Sequence, residues 1–368
     1  MKNHRRSQLL TTGVVLSALA ATAAGCGGDS AGSEDASGDS SDYSVALSVA
    51  FTGNAWRKSM IQGWEYAAKQ AKAAGDISDY KVSVAPQGTA TSQIAQIQSL
   101  ILEQPDAINI DAESPTALNP VIKQACDAGI EVIVFDQTTD ATDDCSTFLY
   151  NPLKDYGAAI ADSVATQIGG AGNVILVEGV VGGKPNAEIL SGVEEVLEEY
   201  PDVEIVSSVV GESSDSVTEK ALTGVLPTLD DVDGVISWGG TSGILSAFAK
   251  ADRPVPALVF DNSGESLRKL AELFEEDPDF QGSGVFTDPG QGAAAFQATM
   301  LKKDGTELPK EIITPVITIP QKDLDAWIDV TGPGAVAQWL WTEDDISQVI
   351  ETQGTDSLFE PAIPDESL

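Results

Sequence analysis

Two carboxylates, Asp111 and Asp136, each follow a short apolar run, at residues 107–110 and 131–135. A carboxylate pair is the raw material of acid and base catalysis on a glycosidic bond, provided the two groups lie a few ångströms apart, and a sequence does not supply that separation. Nearby in pattern, Asn54, Trp56 and Arg57 put an amide, an indole and a guanidinium within four positions. That set is suited to gripping a polar ligand that also has an apolar face. Other chemistry lacks its reagents. The single histidine, His4, falls in the expected leader, so no imidazole remains for a Ser-His-Asp or Cys-His pair or for a histidine metal site. Gly179-Val180-Val181-Gly182-Gly183-Lys184 is the nearest approach to a phosphate loop, but its glycine spacing is wrong and Pro185 stands where Ser or Thr belongs. It reads as a strand-to-helix turn with Pro185 near the helix start. Asp230-Asp231-Val232-Asp233-Gly234 lacks the remaining ligands of a calcium loop and reads as an acidic turn. No metal or cofactor is expected.

These side chains need a frame that gathers them. Residues 45–51 form a near-continuous apolar run of strand length, as expected for a strand buried on both faces in a helix-flanked parallel sheet. A helical pattern follows, with Ser59, Met60, Trp64, Ala67, Ala68 and Ala71 on one face. The alternation then repeats: strand 81–85, helix 91–103, strand 107–110, helix 116–128 closed by Gly129, strand 131–135. Such alternation predicts βαβ units and a parallel sheet. Right-handed crossovers put all strand ends on one edge, where open α/β sheets hold their ligands. Asn54, Trp56, Arg57, Asp111, Asp136 and Gln137 should converge there, although more than 80 positions separate the first from the last.

A short strand at 148–150 leads to Asn151-Pro152 and reads as the crossing into a second lobe. That lobe repeats the scheme, with strands at 173–177, 203–210, 234–238 and 257–260 and helices at 187–199, 216–229 and 241–250. Residues 284–286, before Thr287-Asp288-Pro289, read as a return crossing, 291–303 as a helix, and 312–319 as one strand long enough to cross again. The tail carries Trp327, Trp339 and Trp341 and helix-start signals at Asp323 and Thr342. It reads as a helical wrap whose tryptophans are core or docking surface. The expected fold is α/β, two Rossmann-like lobes with parallel central sheets joined by a multi-strand hinge. The expected lobes are 43–149 plus 288–314, and 150–287 plus 315–368 with the tail.

At the start, Lys2, Arg5 and Arg6 precede an uncharged stretch at 9–24 that ends in Ala23-Ala24-Gly25-Cys26. A basic region, a short apolar core and small residues predict an export signal over 1–25. Cys26 sits where a bacterial lipobox has its lipidated cysteine; the alternative is an ordinary secreted chain with a chance cysteine. Residues 26–42 are rich in Ser, Gly and acids and read as a disordered tether. The whole chain has a formal net charge of -37, and losing the leader's Lys2, Arg5 and Arg6 leaves 17 basic against 57 acidic side chains. Nucleic acid and anionic membrane surfaces would repel such a body. Outside the cell, Cys126 and Cys145, 19 positions apart, are expected to pair, the alternative being two independent thiols.

Two like-built α/β lobes behind a lipobox resemble the type I periplasmic binding proteins, in particular the ribose-type sugar-binding components of ABC importers. The likeness spans about residues 43–320 and rests on Asn54-Ala55-Trp56, Phe135-Asp136-Gln137, Gly179-Val180-Val181-Gly182, Phe260-Asp261-Asn262 and the crossing at Thr287. In that family the first loop offers an asparagine and aromatic rings, matched by Asn54 and Trp56, with Arg57 where a second aromatic is common. The family's acid and arginine after the fourth strand become Asp136 and Gln137. Asn186-Ala187 stands where a second-lobe arginine is expected, Gly239 replaces a polar residue beside Trp238, and Asp261 matches the late aspartate.

The resemblance implies a ligand set of Asn54, Trp56, Arg57, Asp111, Asp136, Gln137, Asn186, Trp238, Asp261, Asn262 and Thr287. In it, Asp136 and Asp261 accept hydroxyl donors, the amides do both, and Trp56 or Trp238 stacks on a sugar face. The implied protein is a monomeric solute-binding lipoprotein, not an enzyme. It would capture a sugar or polyol and deliver it to an ABC permease at the outer face of the cell membrane or in the periplasm. Within the binding class, a sugar acid paired with Arg57, a nucleoside or a signalling furanone also fits. The rivals from other classes are an exported carbohydrate hydrolase using Asp111 and Asp136, and a ligand sensor docking on a receptor kinase.

Overall fold

The computed structural model describes residues 41–365 except 51, 54, 141–144, 183, 333 and 355–358. The leader, the tether as far as residue 40, Cys26 and Asn54 therefore lie outside the described residues. The chain opens with β1 (Ser44–Val49), α1 (Ala55–Ala74), β2 (Asp79–Val84), α2 (Ala90–Glu103) and β3 (Ala107–Asp111). It continues through α3 (Asn119–Asp127), β4 (Glu131–Phe135), β5 (Ser146–Tyr150), α4 (Leu153–Gln167), β6 (Ala171–Glu178) and α5 (Lys184–Leu197). Next come β7 (Asp202–Val210), α6 (Asp215–Val225), β8 (Gly234–Ser237), α7 (Thr241–Lys250), β9 (Ala257–Phe260), α8 (Gly264–Glu276) and β10 (Gly282–Phe286). The last elements are α9 (Gln291–Lys303), β11 (Glu311–Ile313), β12 (Ile317–Ile319), α10 (Leu324–Val330) and α11 (Glu343–Thr352).

The strands form two six-stranded sheets, ordered β11-β5-β4-β3-β1-β2 and β12-β10-β9-β8-β6-β7. Pairing is parallel except for β12 against β10. The expected α/β fold with two like-built lobes is thus present. Central strands such as β3 and β8 are buried along their whole length, which is why they read as mostly apolar runs. The expected long strand at 312–319 is instead two short ones, β11 in the first sheet and β12 in the second. Pro315 between them has no N–H for a ladder. Cys126 of α3 and Cys145, just before β5, form a disulfide with Cα atoms 5.6 Å apart.

Packing holds α4 and α5 unusually close, because any Cβ at Gly157 would lie 2.0 Å from the Ile189 carbonyl oxygen and any at Gly192 1.9 Å from that of Lys154. Glycine at both points lets the two backbones touch, so two of the elements that carry cavity residues are fixed against each other. The tail is shared between the sheets rather than wrapped on the second lobe alone: α10 packs on α8, whereas α11 packs on α9 and β11. Thr342 caps α11 in a capping box with Asp345. Trp327, Trp339 and Trp341 are buried in a chain of edge-on and tilted ring contacts that begins at Phe286.

Three crossings join the lobes, at Asn151, at Thr287-Asp288 and at Thr314-Pro315, and the Asn151 amide ties all three. Its Nδ2 donates to the Thr314 and Pro315 carbonyl oxygens (3.0 and 2.7 Å), and its Oδ1 accepts from the Asp288 N–H and from Gln291 Nε2, both at 2.9 Å. Asp288, fully buried, ties in the tail: its carboxylate accepts from Trp341 Nε1 (2.7 Å), Gly290 N (2.8 Å) and Trp339 N (3.2 Å). Burial pushes its pKa up to about 7, against the pull of those N–H donors. An unfolded chain releases that proton near pH ~4. The folded state therefore binds the extra proton between about 4 and about 7, and its stability falls as the pH rises through that window. Urea denaturation at successive pH values should show wild-type protein losing stability relative to Asp288→Asn across that range. Parallel profiles for the two proteins would contradict the assignment.

Candidate functional site

At the carboxyl ends of β6, β8, β9 and β10 the second lobe opens on a cavity of about 550 Å³. Each strand runs out into a residue suited to a ligand wall: Gly179 after β6, Trp238 after β8, Asp261 and Asn262 after β9, Thr287 after β10. Leu153 and Tyr156 come from α4, Asn186 and Ile189 from α5, and Thr241 from the start of α7. The first lobe contributes Trp56, from the first turn of α1. Of the residues expected to meet a ligand, Trp56, Asn186, Trp238, Asp261, Asn262 and Thr287 share this one cavity.

Their polar groups are not equally available. Asn262 is buried and its Nδ2 donates to the Ala337 carbonyl oxygen (2.9 Å), so its amide holds the tail. Asp261 accepts from the Ser263 N–H (2.9 Å) with one oxygen only. The Thr287 carbonyl oxygen accepts from Trp56 Nε1 (3.1 Å), which pins the first-lobe indole to the hinge. Asn186 is buried; its Nδ2 donates to Glu178 Oε2 (3.2 Å), while Oδ1 has no partner among the described residues. No Lys or Arg side chain is among the described residues lining the cavity, and its one carboxylate is Asp261.

Arg57, Asp111, Asp136 and Gln137 do gather at the strand ends of the first lobe, but outside the cavity lining, bonded to one another. Arg57 Nη1 lies 2.9 Å from Asp111 Oδ2 and 2.5 Å from Asp136 Oδ2. With the Gln137 amide turned to suit its neighbours, its oxygen accepts from Arg57 Nη2 at 2.6 Å and its nitrogen donates to the Ala112 carbonyl oxygen at 3.2 Å. A buried guanidinium flanked by carboxylates satisfies them and is satisfied by them. Burial works against the charge on Arg57, but Asp136 and Asp111 outweigh it and hold its pKa above the ordinary value. The guanidinium also lies 5.0 Å from the Trp56 ring centroid, a cation–π contact that backs the indole. The sugar-acid reading, which needs Arg57 for a ligand carboxylate, loses its cation. The hydrolase reading loses its pair as well, since both acids are held by the same nitrogen.

Several lining residues carry no sequence signal. Tyr156 sits on α4 with nothing in the pattern to mark it; burial first, then nearby Asp261, pushes its hydroxyl pKa up, so it stays a neutral donor. Ser213 lies in a loop where it and Glu212 both take left-handed backbone, at φ 51 and 52. Two such non-glycine residues in succession are strained, and strain of this kind clusters at binding sites. Ser237 and Thr241 complete the hydroxyl-rich wall.

Two α/β lobes joined by three crossings, with a polar and aromatic cleft at the strand ends, define a hinged binding protein. The chain belongs to the periplasmic binding protein family: residues 45–307 match the model of a periplasmic binding protein domain. It is similar to an ABC transporter solute binding protein from Thermobispora bispora, with 42% identity, a TM-score of 0.73, and 88% of this chain and 99% of that chain covered. It is 24% identical over 263 residues to the xylitol-binding protein of Mycolicibacterium smegmatis, covering 66% of this chain and 73% of the relative. To the ribose import binding protein RbsB of Bacillus subtilis it is 24% identical over 257 residues, covering 67% and 80%. These relatives are binding proteins, and the chain is a binding protein rather than an enzyme.

The buried ion cluster sets a stability test. Replacing Arg57 by Met leaves Asp111 and Asp136 without their cation, at an expected cost of about 3–5 kcal/mol. Burial pushes the Asp111 carboxyl up to about 8 although Arg57 opposes it. Without Arg57 the group holds its proton more tightly still, so the deficit of Arg57→Met should widen as the pH rises through about 8. Urea denaturation at pH ~7 and ~9 measures both; equal stability of variant and wild type at the higher pH would contradict the cluster's role.

Proposed function

We propose that this chain is the extracytoplasmic solute-binding component of an ABC importer and that it captures an uncharged sugar or polyol in the cavity between its lobes. The observation that carries the reading is the character of the cavity wall. It combines two indoles, one carboxylate with an oxygen to spare, a buried amide oxygen without a partner and several hydroxyls, with no cation among its described residues. A sugar or polyol hydroxyl both donates and accepts, so it meets carboxylate and amide alike, while its C–H face stacks on an indole. The xylitol- and ribose-binding names of two relatives support the same ligand class.

In this reading residues 43–149 with 288–314 and residues 150–287 with 315–368 form the two lobes, α11 lying across to the first. Trp56 supplies the first lobe's face and the second lobe supplies the hydrogen bonds, so the ligand binds the closed form best and shifts the hinge toward it. Cys26 is the proposed lipid anchor, residues 26–42 the tether, and the monomer delivers its ligand to a permease at the outer face of the membrane.

A thermal-shift and calorimetric panel of xylitol, ribitol, D-ribose, D-arabinose, D-allose, myo-inositol and gluconate tests this. A specific neutral ligand at 100 times its dissociation constant should add about 2.7 kcal/mol. Trp56→Ala and Asp261→Ala should abolish that gain while leaving the unliganded fold intact, and gluconate should give none. A response to gluconate alone, or to no member of the panel, would overturn the reading.

A further inference from the structure

Two indoles line the cavity, but their polar ends are in opposite states. The Trp56 N–H is spent on the Thr287 carbonyl oxygen at 3.1 Å, and the Arg57 guanidinium lies 5.0 Å from its ring centroid. What Trp56 has left to offer is a ring face. Trp238 is the converse: it is only 8% exposed, and its Nε1 has no hydrogen-bond partner among the described residues. An indole nitrogen is a donor and nothing else, so a buried one without an acceptor carries the full cost of its desolvation. Asn186 Oδ1 on the same cavity is unpartnered too, and the bond from its Nδ2 to Glu178 fixes which end of the amide is left over.

We infer that Trp238 recognises the ligand through its N–H rather than its ring, donating to a ligand oxygen, with Asn186 Oδ1 accepting from a ligand hydroxyl. This deepens the sugar or polyol reading above and rests on it. The stacking role then belongs to Trp56 alone. Gly179 is the residue that packs against the donor: a Cβ there would lie 2.6 Å from Trp238 Nε1 and 3.2 Å from Ser213 Oγ. A side chain at 179 would occupy the space in front of the N–H or push the ring away. The cleft is therefore specific for a ligand with an oxygen at that point, and removing that oxygen strands the donor.

The test uses the tightest binder of the panel above, together with each of its monodeoxy derivatives, titrated into wild-type protein, Trp238→Phe and Gly179→Ala. Trp238→Phe keeps an aromatic ring and loses the donor, so it should weaken binding about tenfold or more. One monodeoxy derivative should lose a similar factor on wild-type protein and bind wild type and Trp238→Phe equally, a coupling that a merely structural tryptophan would not produce. Gly179→Ala should weaken the parent ligand more than that derivative. In ¹⁵N-labelled wild-type protein the Trp238 indole proton should shift downfield on binding the parent ligand and not on binding that derivative. That reading stands even if Trp238→Phe fails to fold. Binding within about twofold of wild type for Trp238→Phe, no coupled derivative, or an indole proton resonance that does not move would overturn the inference alone. Failure of the whole panel to bind wild-type protein would overturn the functional reading and this inference with it.

Discussion

Asn151 stands where three chain crossings meet, and one amide bonds backbone or side-chain groups of the other two. Two six-stranded sheets built from separate stretches of chain can present their carboxyl ends to a shared cleft only if the connections between them hold a common geometry. The amide is suited to that task because it donates and accepts at once. Asp288 extends the arrangement to the tail through Trp341 and Trp339, so the segment beyond the last strand braces the crossings, and none of its described residues lines the cavity. Thr287, next in sequence, accepts from Trp56 and passes the same geometry on to the ligand wall.

The acids fall into distinct roles. The 57 acids against 20 basic side chains give the chain its charge of -37. Four buried or half-buried acids each have a partner suited to their surroundings. Asp111 and Asp136 share the Arg57 guanidinium, and Asp288 accepts from three N–H groups. Asp261 spends one oxygen on the Ser263 N–H at the cavity wall. The cavity wall therefore offers a carboxylate oxygen and indoles, while the nearby Arg57 guanidinium is committed to Asp111 and Asp136.

Much of this was open to sequence reasoning. The expected strand at 131–135 and helix at 241–250 coincide with β4 and α7, and the strand at 257–260 with β9, because short apolar runs bounded by polar or glycine residues have few alternatives. The helix α8 carries a readable signal in Leu267, Leu270 and Leu273 behind the Ser263 cap, although the expected elements pass from the strand at 257–260 to residues 284–286 without it. The break at Pro315 is likewise printed in the chain, yet apolar residues on both sides disguise it. Tyr156 and Ser213 were beyond reach, since nothing local sets a residue that lines a cavity apart from one that does not.

By itself the sequence determined the two βαβ lobes and the edge at which their strands end, because these follow from periodicity and residue type alone. Tertiary structure decided which strand-end residues line the cavity. Arg57, Asp111, Asp136 and Gln137 sit at the right edge but satisfy one another, whereas Trp238 and Asn186 keep a donor and an acceptor unmet. The physical reason is that hydrogen-bonding capacity is a property of partners in space, and partners separated by dozens of positions in the chain meet only once it has folded.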